Sequence, residues 1–222
     1  MAADTQTLPC PLCDAPSQQR FAEVRGRHYF RCPQCRLTFL DPAQRADRAL
    51  ERATYDQHQN DPADPRYRAF LARLVEPLRA RLEPGMVGLD FGCGPGPAIS
   101  AMLAEHDIAV VDYDPIYQPA PGALERRYDF VTCSEVVEHL HAPARALATI
   151  ERLLRPGGWL GVLTEMQDDD ARFARWWYLR DPTHVAFFRR ETMQWIAGHF
   201  GWQITFPARN VTLFQRPCAD LR

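Results

Sequence analysis

The 222-residue chain contains no lysine; all 26 of its basic residues are arginine. That absence excludes a lysine general base and a lysine Schiff-base nucleophile. No apolar run reaches membrane-spanning length, so no transmembrane helix is expected. The opening residues, MAADTQTLPCPLC, lack a basic start and an apolar core. They do not read as a secretory signal, and a cytoplasmic protein is the expectation. An excess of charge is missing too: 26 basic against 28 acidic residues leave −2, which points to neither nucleic acid nor a membrane surface. There is no internal repeat and no low-complexity tract. What remains is ordinary for a globular protein, 46% apolar and 24% charged, long enough for one sizeable domain with a small appendage.

Seven cysteines are present, an odd number with four of them clustered, which argues against a disulfide framework. Cys10-Pro-Leu-Cys13 is followed, 18 residues on, by Cys32-Pro-Gln-Cys35. Each pair brings two sulfurs to one point through a tight turn. Two such turns joined by a hairpin, with Phe21, Tyr29 and Phe30 in its strands, make a four-thiolate tetrahedral site suited to zinc. Residues 1–42 therefore read as a zinc ribbon with Cys10, Cys13, Cys32 and Cys35 as ligands. Four thiolates leave no open position, so the zinc is expected to be structural. A redox dithiol, or idle thiols, are the alternative readings.

Residues 43–66 are polar and proline-broken and read as a short helix and a linker. Residues 67–82 place Phe70, Leu71, Leu74, Val75, Leu78 and Leu82 at helical spacing, with Pro77 expected to kink or split the helix. From residue 86 the pattern alternates: strand 86–91, helix 97–105, strand 107–113, an apolar run at 128–133 and helix 143–154. Pro156-Gly157-Gly158 is expected to end that helix. A strand at 159–164, a helix at 191–199 and a terminal strand pair at 202–206 and 211–215 complete it. Alternation of this kind predicts an α/β fold, a doubly wound, mostly parallel sheet spanning residues 67–222.

The stretch LDFGCGPG at 89–96 joins the first of these strands to a helix. Its glycines, Gly92, Gly94 and Gly96, permit unusual backbone angles and close approach of a ligand, and the helix start leaves N–H groups free. The spacing is GxGxG rather than the dinucleotide GxGxxG, with Asp90 two residues ahead. Asp112 ends the next strand, where an acid commonly takes ribose hydroxyls.

Residues 86–164, through LDFGCGPG, VVDYDP, YDFVTCSEVVEHL and LLRPGGWLGVLT, resemble the class I S-adenosylmethionine-dependent methyltransferases. The last two segments are similar to the ubiquinone-biosynthesis type. CPLC…YFRCPQCRLTFLDP together with DPTHVAFF at 181–188 resembles bacterial methyltransferases with a zinc-binding amino terminus, and some sugar C-methyltransferases are similar. The resemblance implies S-adenosylmethionine as cofactor. Asp90, Gly92, Cys93, Gly94 and Gly96 would surround its amino-acid part, Asp112 its ribose and Tyr113 its adenine. Ser134 and Glu135 would line the methyl-transfer side. The chain departs from the family between Asp112 and Asp129, where a strand and its helix look shortened or lost.

Methyl transfer to a hydroxyl or carbon acid needs a base near the strand ends. If helical, SEVVEHLH at 134–141 would place Glu135, Glu138 and His139 on one face. A Glu/His metal site there would have only two ligands. The loop at 165–188 reads as a lid or substrate wall carrying Phe173, Trp176, Trp177 and Tyr178, with Asp168, Asp169 and Asp170 as a solvated turn. His184, in that loop, is the first choice of base, with His139 and Glu135 behind it. Tyr55 and Tyr67 either fold over the cofactor or anchor the first helix.

The expected partner is a small-molecule acceptor, with oxygen, nitrogen and carbon nucleophiles all open, and with sugar, phenol and lipid-linked glycan among the candidates. Oligomeric state is not legible. One rival is an RNA methyltransferase gripping RNA with the ribbon, where residues 20–36 hold five arginines against one glutamate. Eight arginines against seven acids over residues 1–60 count against it, as does CSEV where base-amino methyltransferases show an NPPY-like stretch. A second rival is a non-catalytic cofactor-binding partner module.

Overall fold

The structure is a computed structural model, and it describes residues 7–17, 20–57 and 60–218. The amino-terminal part is built around its two cysteine turns. β1 (Leu8–Pro9) and β2 (Pro16–Ser17) pair antiparallel on either side of the first. β3 (Arg20–Val24) and β4 (Arg27–Arg31) form a hairpin closed by Arg25 and Gly26, both at positive φ, the turn geometry that matches strand twist. β5 (Thr38–Leu40) follows the second cysteine turn and pairs with β4.

The linker region carries α1 (Arg48–Tyr55), capped by the Asp47 carboxylate. α2 (Pro65–Arg79) starts with Asp64 as cap and Pro65 in its first turn. It is one helix through Pro77, where a kink or a split was expected, because Leu71, Leu74, Val75 and Leu78 are all buried and hold its last turn, with Pro77, against the sheet.

The sheet strands then follow with their helices: β6 (Val87–Phe91), α3 (Ala98–Ala104), β7 (Ala109–Tyr113), β8 (Tyr128–Ser134), α4 (Pro143–Leu153) and β9 (Leu154–Leu163). β9 begins directly after α4. The Pro156-Gly157-Gly158 stretch, expected as a helix stop, is a bulge inside the strand, where the β8–β9 register shifts between Tyr128 and Phe130. β10 (Ala186–Phe187), α5 (Arg190–Phe200), β11 (Gln203–Ala208) and β12 (Val211–Gln215) complete the chain.

The main sheet runs β11-β12-β9-β8-β6-β7. β7, β6, β8 and β9 are mutually parallel, and β12 and β11 are added antiparallel. One face buries α4 and α5 through Leu147, Ile150, Met193 and Ile196; the other buries α2 and α3 through Leu74, Leu78, Ile99 and Leu103. This is the doubly wound α/β architecture. β7 lies at the edge of the order because residues 114–127 supply only a 3-10 turn, Pro121–Leu124, where a further strand looked lost.

β10 does not join the main sheet. It pairs antiparallel with β5, Ala186 opposite Phe39 and Phe187 opposite Thr38, and makes a four-stranded sheet β10-β5-β4-β3. The amino-terminal unit therefore borrows a strand from the loop that was expected to act as a lid. No helix among the described residues is long and apolar enough to cross a membrane.

Candidate active site

β6 delivers the glycine turn to the carboxyl edge of the sheet. Gly92 and Gly94 take φ of +85° and +65°, a region that side chains resist. The N–H groups of Gly92 and Cys93 donate to the Tyr113 carbonyl at 2.7 and 3.1 Å, and that of Gly94 to Asp114 Oδ2 at 3.2 Å. The turn is thus folded against the end of β7. A Cβ on Gly96 would fall 1.6 Å from the Asn60 carbonyl oxygen, so glycine is required there by the chain's own linker.

A cavity of about 670 Å³ opens beside the turn. Of the residues expected to hold a cofactor, Asp90, Gly92, Cys93, Gly94 and Ser134 line it. Gly96, Asp112 and Tyr113 do not. Gly96 is occupied by Asn60, the Asp112 carboxylate accepts from Ser100 Oγ at 3.1 Å, and Tyr113 gives its carbonyl to the turn. The acid that reaches the cavity is Asp114, two residues further along the strand direction. Its Oδ1 accepts from the N–H groups of Ile116 and Tyr117 at 2.8 and 3.0 Å. Alternation puts residues 112 and 114 on one face of an extended segment, and the register against β6 places the later of the two beyond the sheet edge. Asp90 is buried, accepts from Thr132 Oγ1 at 2.7 Å, and is pushed up to about 7 by that burial and then by the charges of Asp112 and Asp114.

The opposite wall is the segment after β8. It is not α-helical; only Val137–His139 form a 3-10 turn, and Glu135 sits at φ +51°. The extended β8 carries through to Ser134, so the chain must reverse abruptly at the sheet edge. Glu135 and Glu138 nevertheless meet, through the hydroxyl of Tyr178, which donates to Glu135 Oε2 at 3.2 Å and makes a short bond to Glu138 Oε1. Thr164 Oγ1 donates to Glu138 Oε2 at 3.1 Å. Burial raises both carboxyls, Glu135 to about 9 with help from the Glu138 charge, and Glu138 to about 7 because Tyr178 and Thr164 hold it back. Burial thus favours the protonated, hydrogen-bonding form of the Glu135 carboxyl.

His139 and His184 both line the cavity, with ring centroids 4.7 Å apart, edge to face. His184 Nδ1 donates to the Tyr178 carbonyl at 2.8 Å, since a carbonyl can only accept. Asp181 Oδ2 lies 3.8 Å from His184 Nε2. His139 Nδ1 is 3.0 Å from Thr183 Oγ1. The Thr183 hydroxyl and N–H both donate to Asp181 Oδ1. His184 adds a third metal-ligating side chain to Glu138 and His139, with one ligand atom of each within 4.8 Å of the others; the Glu138 carboxylate, however, is held by two hydroxyls. Tyr55 and Tyr67 line the cavity as well, Tyr55 edge to face with His139 at 5.2 Å. Trp177, half exposed, stands at its mouth.

The loop behind this wall is tied to the cysteine unit. Tyr29 packs edge to face on Phe173 at 5.1 Å and Phe187 at 5.8 Å. Asp170, expected in a solvated turn, instead accepts from Arg31 at 2.7 Å and Arg189 at 2.6 Å, and the Arg31 hydrogen bond holds its carboxyl well below the usual range. In the unit itself Cys10 Sγ lies 3.5 Å from Cys35 Sγ, and Cys13 Sγ 3.4 Å from Cys32 Sγ. All four sulfurs fall within 4.8 Å of one another. The two turns are alike: Asp14 and Arg36, just after them, both have positive φ, and their N–H groups return to the carbonyls of Cys10 and Cys32.

Residues 63–205, well over half the chain, match the family described as a methyltransferase domain. The ubiquinone biosynthesis O-methyltransferase of Burkholderia thailandensis is 33% identical over 100 residues, covering 35% of this chain and 43% of that protein. The same enzyme of Leptothrix cholodnii is 35% identical over 104 residues, covering 36% and 44%. The match thus spans less than half the length of these curated relatives. Among solved structures, the 1,6-didemethyltoxoflavin-N1-methyltransferase of Burkholderia thailandensis, with 1,6-didemethyltoxoflavin and S-adenosylhomocysteine bound, shares the fold. It superposes with a TM-score of 0.57 at 18% identity, covering 88% of this chain and 100% of that one. With its parallel sheet, its glycine turn at the carboxyl edge and this match along most of its length, the chain belongs to the methyltransferase-domain family.

Proposed function

We propose that the protein transfers a methyl group from S-adenosylmethionine to a small-molecule acceptor, and that its four clustered cysteines hold a structural zinc. The observation that carries the first part is the continuity of one cavity, from Gly92–Gly94 and Asp114 to the wall of Glu135, His139, Tyr178 and His184. The residues present suit the cofactor. Gly92 lets the turn pack directly against Val136, which a side chain there would strike at 2.5 Å, and beside it in the cavity wall buried Ser134 Oγ and Glu135 Oε1 lack a hydrogen-bond partner among the described residues. When bound, the cofactor supplies an electrophilic sulfonium methyl. Asp90, Gly92, Cys93 and Gly94 hold its amino-acid end, and Asp114, in place of Asp112, takes the ribose hydroxyls. Ser134 and neutral Glu135 orient the acceptor. His184 removes the acceptor's proton, and Asp181 steadies the imidazolium that results.

The zinc reading rests on the donor set. Zn–S bonds of about 2.3 Å in a tetrahedron place sulfurs about 3.8 Å apart, close to the separations seen. Burial pushes the Cys13 thiol up to about 12 while the Cys35 hydrogen bond draws Cys10 down to about 6. Without a cation, four thiols at one point cannot all ionise.

Calorimetry with S-adenosylhomocysteine tests the cofactor assignment. Wild-type protein and Asp112→Asn are expected to bind it, and Asp114→Ala to bind at least about tenfold more weakly. Equal binding by Asp114→Ala would return the ribose role to another residue. His184→Ala is expected to cut turnover by about 10²-fold or more without altering that binding; unchanged turnover would remove the base assigned here.

A further inference from the structure

We propose that Arg25, Arg27, Arg175 and Arg180 form an anion subsite for a phosphate or diphosphate group carried by the methyl acceptor. A second, small cavity of about 40 Å³ lies between the β3–β4 turn and the loop at 174–180. These four arginines line it, and no carboxylate does. Among the described residues, none of the four takes part in an ion pair, as Arg20, Arg31, Arg189 and Arg216 elsewhere in the chain do. Arg27 is fixed by a bond from its guanidinium to the Pro182 carbonyl at 2.9 Å. The floor is apolar, from Val24, Tyr29 and Leu179, and lowers the local dielectric.

Four cations with no carboxylate between them repel one another, and an anion between them relieves that repulsion. Guanidinium forks match phosphate oxygens in pairs, and four of them suit a group with more than one negative charge better than a single carboxylate. The link to the acceptor is Arg180, which lines both this cavity and the large one. A molecule held by its phosphate here would extend past Trp177 and Tyr178 toward His184. This part of the inference rests on the methyl-transfer reading; the subsite itself does not. The size of the cavity, room for one small group, favours a phosphorylated metabolite over RNA, whose backbone needs a stripe of cations.

The test is calorimetry of the full-length protein with inorganic pyrophosphate, and separately with S-adenosylhomocysteine. Wild type is expected to bind pyrophosphate, more weakly as salt rises. Arg25→Gln/Arg175→Gln, both exposed positions, is expected to bind it at least about tenfold more weakly, with S-adenosylhomocysteine binding unchanged. No pyrophosphate heat in wild type, or equal heat in the double variant, would overturn the subsite. A single-stranded RNA oligonucleotide that binds and is not displaced by pyrophosphate would overturn it in favour of nucleic acid. Loss of the S-adenosylhomocysteine heat alone would overturn the methyl-transfer reading, and with it the claim that the anion is the acceptor's, but not the subsite.

Discussion

Glu135 shows how one backbone angle sets a side chain's chemistry. At φ +51° it leaves the strand direction and turns back over the buried Glu138, so that one tyrosine hydroxyl serves two carboxyls. Burial, and then the Glu138 charge, push its carboxyl up to about 9, so the folded chain holds this proton above the ordinary carboxyl value at which the unfolded chain loses it. Across that window the native state holds a proton that the unfolded state has released, so stability falls as pH rises. Glu135→Gln, permanently neutral, is expected to flatten this fall. Its thermal midpoint, measured from pH 5 to pH 8, is expected to drop less than that of wild type. Parallel curves would mean that Glu135 is already ionised in the native protein.

The decisive element is the loop between β9 and α5. Its far end supplies β10 to the amino-terminal sheet, and its middle is pinned by Arg31, which bonds Asp170 and Thr38 and lies 3.6 Å over the Phe21 ring. Arg31 is 8% exposed while Asp170 is 50% exposed, so the ion pair is screened on one side and the hydrogen bonds and ring contact carry most of the effect. Arg31→Ala is expected to cost about 1–3 kcal/mol in denaturant unfolding. Asp168→Ala and Asp169→Ala, in the same acidic run, are expected to stay within about 0.5 kcal/mol. If the three variants unfold alike, the run is the solvated turn that its composition suggests.

At the scale of the molecule, the cysteine unit and the cavity are mechanically joined. The ring contacts of Tyr29 with Phe173 and Phe187, each about 0.5–1.5 kcal/mol, connect the back of the loop to the unit that zinc would hold. Chelation, or Cys32→Ser, is expected to lower the thermal midpoint and to impair acceptor turnover more than S-adenosylhomocysteine binding, because the glycine turn is anchored in the main sheet instead. Metal analysis of the same samples checks that zinc has left. Intact turnover after complete zinc removal would separate the two parts of the molecule.

The amino-acid sequence by itself determined the α/β alternation, the glycine turn and the four-cysteine pattern. Those are local: periodicity and turn chemistry act over a few residues, and LDFGCGPG or CPLC carries its meaning within its own span. It did not show which of Asp112 and Asp114 reaches the cavity, because strand alternation places both on one face and only the register against β6 shows which of them passes the sheet edge. Helical spacing was one way to bring Glu135, Glu138 and His139 of residues 134–141 together, whereas β8 runs to Ser134 and the reversal that follows demands another backbone. Tertiary structure alone decided that Asn60 fills the space at Gly96, that Asp170 is a tether, and that Tyr178 joins two glutamates far from it in sequence. Each depends on packing between segments that no short-range pattern relates, which is why the acceptor side of the cavity was the least legible part of the chain.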